Sequence, residues 1–215
     1  MNLTGRLAIF LALLGSLLCA SAAAIAEGAD AKELVKRSQT DPALRETLLR
    51  EARSAGSFCA NCHGEAGFSR FPEVPNLASQ HPAYILNQIE AFLSGRRKNE
   101  FMEGLMKVLS ERDKAAIALA FSSAPAIPAS VKPGPRAKEG GEHFQRLCAR
   151  CHQADARGAE NFPRLAGQQQ EYLRVTLRRY LSMSGERNYP PMSGAVMQLG
   201  ERNIDAVVDY LSNAQ

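Results

Sequence analysis

The chain has 215 residues, 45% of them hydrophobic and 22% charged, the balance of a folded globular protein and not of a disordered one. That length holds one large domain or two small ones. The formal net charge of +4 is too small an excess to indicate nucleic-acid binding.

Residues 1–26 read as a secretory signal peptide. Arg6 supplies the positive start, the run from Leu7 to Leu18 is apolar apart from Gly15 and Ser16, and Ala24-Ile25-Ala26 offers a small-x-small cleavage site before Glu27. The segment is about long enough to stay as an anchor instead, but its alanine-rich end favours cleavage. Cys19 follows Leu18, where a lipoprotein would carry a small residue, so lipidation is rejected.

Residues 31–53 predict two helices broken at Thr40-Asp41-Pro42, with Asp41 as cap and Pro42 in the first turn. The second carries Leu44, Leu48, Leu49 and Ala52 at helical spacing. This extension has no counterpart later in the chain.

Next comes Cys59-Ala60-Asn61-Cys62-His63, a C-x-x-C-H attachment signature for haem c. Two thiols two residues apart reach the same porphyrin edge, and the adjacent histidine is placed under the iron. Pro75 lies twelve residues after His63, and its carbonyl is a candidate acceptor for the free ring N–H. Tyr84 opens an apolar-periodic helix with Ile85, Ile89, Phe92 and Leu93; then come Gly95, Met102-Glu103-Gly104 and a last amphipathic helix through Ala116, Ile117, Ala120 and Phe121. Residues 125–136, with Pro125, Pro128, Pro133 and Pro135, read as a semi-rigid linker.

The pattern then repeats. Cys148-Ala149-Arg150-Cys151-His152 is a second C-x-x-C-H, Pro163 follows His152 by eleven residues, and P-x-L-A-x-Q occurs at 75–80 and again at 163–168. Tyr172 matches Tyr84, Gly185 matches Gly95, and Met192-Ser193-Gly194 matches Met102-Glu103-Gly104. Of five methionines after the leader, only Met102 and Met192 coincide in the repeat, which makes them the candidate second axial ligands. Each is expected in a loop ahead of the last helix, with Pro190 and Pro191 excluding regular helix at the second. His81 and His143 lack partners in the repeat and read as surface or packing residues. Strand patterns are scarce, so both halves are all-α. The expected organisation is a signal peptide (1–26), an N-terminal haem domain (27–124), a linker (125–136) and a C-terminal haem domain (137–215).

The paired C-x-x-C-H motifs, the P-x-L-A-x-Q stretches followed by Tyr84 and Tyr172, and the M-x-G segments resemble the cytochrome c4 family over residues 40–215. That resemblance implies two tandem class I cytochrome c domains, each wrapped around one covalent haem, with Cys59, Cys62, Cys148 and Cys151 as attachment points. It implies His63, Met102, His152 and Met192 on the irons, and periplasmic electron transfer between a respiratory donor and a terminal oxidase or reductase, with loose membrane association. An electron acceptor for a periplasmic dehydrogenase of thiosulfate, sulfite or an alcohol fits the same features. A dihaem peroxidase would need one open iron, against which the two matched methionines argue. A zinc site and a thioredoxin-like motif lack their expected contexts. The first domain departs from the family in having Ala52 and Ala55 where the second has Gly141 and Phe144, so its helix packing is expected to differ.

Overall fold

The computed structural model describes residues 29–126 and 134–214. The signal-peptide segment and most of the linker lie outside them. The extension folds as α1 (Ala31–Arg37) and α2 (Pro42–Ala55). Asp41 separates them: its side chain accepts from the Leu44 amide at 2.9 Å, and Pro42 occupies the first turn, where no amide donor is needed. Leu34 and Val35 of α1 are buried. α1 packs on the last helix of the first half, and the Ala31 amide donates to Glu111 Oε2 at 2.9 Å.

The first half continues with α3 (Ser57–His63), α4 (Pro82–Leu93), α5 (Glu100–Lys107) and α6 (Glu111–Ser123). The second runs α7 (Ala137–Leu147), α8 (Ala149–His152), α9 (Gln170–Ser182), α10 (Pro190–Leu199) and α11 (Ile204–Leu211). Among the described residues the only β pairings are two isolated bridges. Each half has its own core. Leu48, Ile89, Phe92 and Leu119 belong to the first, and Phe144, Leu173, Ile204 and Val208 to the second.

Two local expectations are corrected. Met102 and Met192 lie not in loops but in the first turns of α5 and α10. Pro190 and Pro191 are the first two residues of α10; they start the helix instead of excluding it, because that turn has no intrahelical N–H partner to lose. The close helix crossing in the second half depends on Gly140, not Gly141. A Cβ on Gly140 would lie 1.8 Å from the Ala206 carbonyl oxygen on α11, whereas one on Gly141 would meet only the Tyr210 ring at 3.2 Å. The repeat places Glu51 opposite Gly140, and its carboxylate receives Arg112 Nε at 2.7 Å and Nη2 at 3.0 Å. The first half therefore carries a half-exposed ion pair between these two helices where the second brings backbones together.

The halves dock about a pseudo-twofold axis. Gln80 Oε1 accepts from the Arg164 amide at 2.8 Å and its Nε2 donates to the Arg164 carbonyl at 3.0 Å. Gln168 makes the same pair with Asn76, at 2.8 Å and 3.0 Å. At another point of the interface the Lys98 amide donates to the Glu186 carbonyl at 2.9 Å and the Asn188 amide to the Arg96 carbonyl at 2.8 Å. His81, read as a surface or packing residue, packs in this interface: its Nε2 lies 2.9 Å from the Arg157 carbonyl.

Candidate functional site

Gly56 ends α2, and α3 begins at once, carrying Cys59, Cys62 and His63 on one short helix. In the second half Cys148 caps α7 and opens α8, which carries Cys151 and His152. One helical turn thus puts both thiols and the imidazole of each motif on adjoining positions. Cys59 and Met102 pack against the first core, Cys148 and Met192 against the second.

Both histidines are buried, at 8% and 5% exposure. His63 Nδ1 lies 2.9 Å from the Pro75 carbonyl, and His152 Nδ1 lies 3.2 Å from the Pro163 carbonyl, the acceptors expected from the spacing. A carbonyl only accepts, so Nδ1 carries the proton and Nε2 keeps its lone pair free for a metal. Burial pushes both imidazoles below the usual histidine range, outweighing the carbonyl bond, so the neutral ligand form is favoured.

The first thiol of each motif is not poised for redox exchange. Burial raises Cys59, and burial with the neighbouring Cys151 pushes Cys148 up to about 11, opposite to the lowered thiol of a disulfide oxidoreductase. Among the described residues no three His, Cys, Asp or Glu side chains gather as a metal cage.

Between the halves lies a feature the sequence reading missed. Arg97 and Arg187 sit in the antiparallel bridge that joins the domains. Arg187 Nη2 donates to Tyr172 Oη at 2.6 Å, and Arg97 Nη2 donates to the same oxygen at 3.4 Å. Gln88 Oε1 accepts from Arg97 Nη1 at 2.9 Å and from Arg187 Nη1 at 3.5 Å. Arg97 also stacks over Phe92, 4.4 Å from its centroid. Burial and the facing Arg187 push the Arg97 guanidinium down from its ordinary range, and burial holds the Tyr84 phenol up at about 12. Neither arginine makes an ion pair among the described residues. A buried guanidinium beside a half-buried one, with no carboxylate between them, is costly alone. A cofactor bearing carboxylates, as haem does on its propionates, would supply the missing negative charge, so the residues present fit the group. The signal was in the repeat: each arginine stands two residues after a matched glycine, Gly95 or Gly185.

Residues 137–215 match the Cytochrome c family model, whose members carry covalent haem c. Cytochrome c4 of Thiocapsa roseopersicina is 32% identical over 79% of this chain and 93% of its own length. The thiosulfate dehydrogenase electron acceptor of Thiomonas intermedia is 30% identical over 72% of this chain and 77% of its own. The crystal structure of reduced cytochrome c4 from Pseudomonas stutzeri superposes with a TM-score of 0.70 at 28% identity, covering 77% of this chain and 98% of that one. A shared two-domain helical fold and that identity over most of both chains, joined to the duplicated motif and its proline-held histidines, place the chain in the cytochrome c4 family.

Proposed function

We propose that the chain is a periplasmic electron carrier with two covalent haem c groups, one in each half. Cys59 and Cys62 would hold the first, with His63 and Met102 on its iron; Cys148 and Cys151 would hold the second, with His152 and Met192. The observation that carries this reading is the duplicated geometry of a buried histidine whose Nδ1 faces a proline carbonyl immediately before an interface residue. When bound, the haems supply two one-electron couples. The protein's part is to hold the two imidazoles in one tautomer and orientation, to keep water from them, and to keep the halves docked. With Met102 and Met192 as ligands, each site would be closed, which suits a carrier and not a peroxidase, and the thioethers would hold the potential high. Redox encounters of such carriers are small and transient.

Two relatives named as thiosulfate dehydrogenase electron acceptors support a second reading of the partner, a dehydrogenase that donates to this chain. Export by the leader is part of the proposal, because haem c is attached on the outer side of the bacterial inner membrane. A pyridine haemochrome assay is expected to give two c-type haems per chain, with none extracted by acid–acetone. The fully reduced protein is expected to form no carbon monoxide adduct and to react slowly with peroxide. A native carbon monoxide spectrum or fast peroxide turnover would move the assignment to a peroxidase.

A further inference from the structure

Each proline carbonyl that holds a histidine belongs to a peptide group whose other end is held by the opposite domain. The Pro75 carbonyl accepts from His63 Nδ1–H at 2.9 Å, and the N–H of the same peptide, on Asn76, donates to Gln168 Oε1 at 2.8 Å. Likewise the Pro163 carbonyl accepts from His152 at 3.2 Å, while the Arg164 N–H donates to Gln80 Oε1 at 2.8 Å. Both glutamines are buried, at 5% and 8% exposure. Neither can rotate freely. Each Nε2 grips the carbonyl of the same interface residue at 3.0 Å, and each Oε1 also accepts from the next amide of its own chain segment, His81 at 3.1 Å or Gln169 at 2.9 Å.

We propose that Gln168 and Gln80 are positioning residues that act across the interface, each tuning the histidine of the other domain through the peptide group between them. A hydrogen bond accepted from an amide N–H pushes electron density toward that amide's carbonyl oxygen, and bonds in such a chain strengthen one another. A richer carbonyl draws harder on the Nδ1 proton and makes Nε2 a more basic ligand. A more basic imidazole favours oxidised iron. Gln168 therefore makes the haem on His63 harder to reduce, and Gln80 does the same for the haem on His152. Docking of the halves and the potential of each half are then set by the same two side chains. This rests on the two-haem reading above.

The test uses the full holoprotein and a redox titration followed by NMR, with haem methyl resonances assigned to each domain. Gln168→Leu is expected to make the His63-side haem easier to reduce by two- to fivefold in the equilibrium constant, about 20–40 mV at 59 mV per tenfold. The His152-side haem is expected to change less than about 1.5-fold, and Gln80→Leu to give the mirror pattern. The His63 Nδ1–H resonance is expected to move upfield in Gln168→Leu. Gln168→Glu keeps an acceptor on the Asn76 N–H and adds charge, so it shifts the His63-side haem the opposite way. A shift confined to the mutated domain, equal shifts in both, no shift, or leucine and glutamate moving the haem in the same direction overturns the proposal; the last would mean that the halves had merely separated. Fewer than two covalent haems in the wild type would instead refute the two-haem reading.

Discussion

Gly140→Ala is the sharpest probe of how the second domain closes. An alanine in a helix interior ordinarily gains about 1 kcal/mol over glycine. Here its Cβ would stand 1.8 Å from the Ala206 oxygen, 2.4 Å from the Ala206 carbonyl carbon and 2.9 Å from the Val207 nitrogen. All three are backbone atoms, so no rotamer change relieves the clash. A comfortable carbon–oxygen contact is about 3.3 Å, and α7 and α11 must separate by roughly 1.5 Å to reach it. Phe144, Ile204 and Val208 are fully buried in that seam and Val207 nearly so. A gap of even ~1 Å forfeits up to about half of each dispersion contact there. An overpacking penalty of about 3 kcal/mol or more, less the propensity gain, leaves a net loss of about 2–4 kcal/mol. For a domain of this size that lowers the melting temperature by about 8 °C or more. Gly141→Ala meets only the edge of the half-buried Tyr210 ring, a side chain that can give by a few tenths of an ångström, and is expected to melt within a few degrees of wild type, or slightly above it. Thermal melts of the holoprotein, followed by far-ultraviolet circular dichroism and the Soret band, compare the two. Gly140→Ala melting at or above wild type, or Gly141→Ala being the worse variant, would show that the seam is not closed by backbone contact at Gly140.

Three further outcomes are expected. Met102→Ala and Met192→Ala each remove about half of the far-red methionine-to-iron band of the ferric protein, whereas Met106→Ala, a core residue at 5% exposure, leaves the band and loses about 2–5 kcal/mol of stability in denaturant titration. Arg187→Gln takes a buried cation from the interface and so lowers both haem potentials in a spectroelectrochemical titration; a rise at either haem contradicts the expectation. Leu34→Ala, at 1% exposure where α1 meets the first core, costs about 2–5 kcal/mol of first-domain stability, read by urea unfolding, without moving either potential.

What the chain reveals without its fold is the part governed by neighbours in sequence. The C-x-x-C-H motifs, the break at Asp41-Pro42, the apolar periods of α4 and α9 and the proline carbonyls eleven and twelve residues past each histidine all depend on local spacing, and spacing survives in a string of letters. The placement of Met102 and Met192 was misread for an equally local reason: Pro190 and Pro191 suit the opening turn of a helix as well as a loop, and only the structure shows which. Other features depend on residues some eighty to one hundred positions apart meeting when the halves dock. Gln80 and Gln168 were visible as matched letters, but nothing in the sequence says that each grips the other domain's backbone. Arg97 and Arg187 each stand two residues after a matched glycine, but only the bridge between the halves brings the two guanidinium groups together and buries Arg187. Gly140 and Gly141 are indistinguishable as adjacent glycines; the crossing of α7 over α11 alone decides which has no room for a methyl group. The sequence by itself carried the two C-x-x-C-H motifs and the proline carbonyls that their histidines face, because those relations are short-range. Tertiary structure decided how the halves act on each other, because hydrogen bonds and buried charge depend on distance in space and leave no period along the chain.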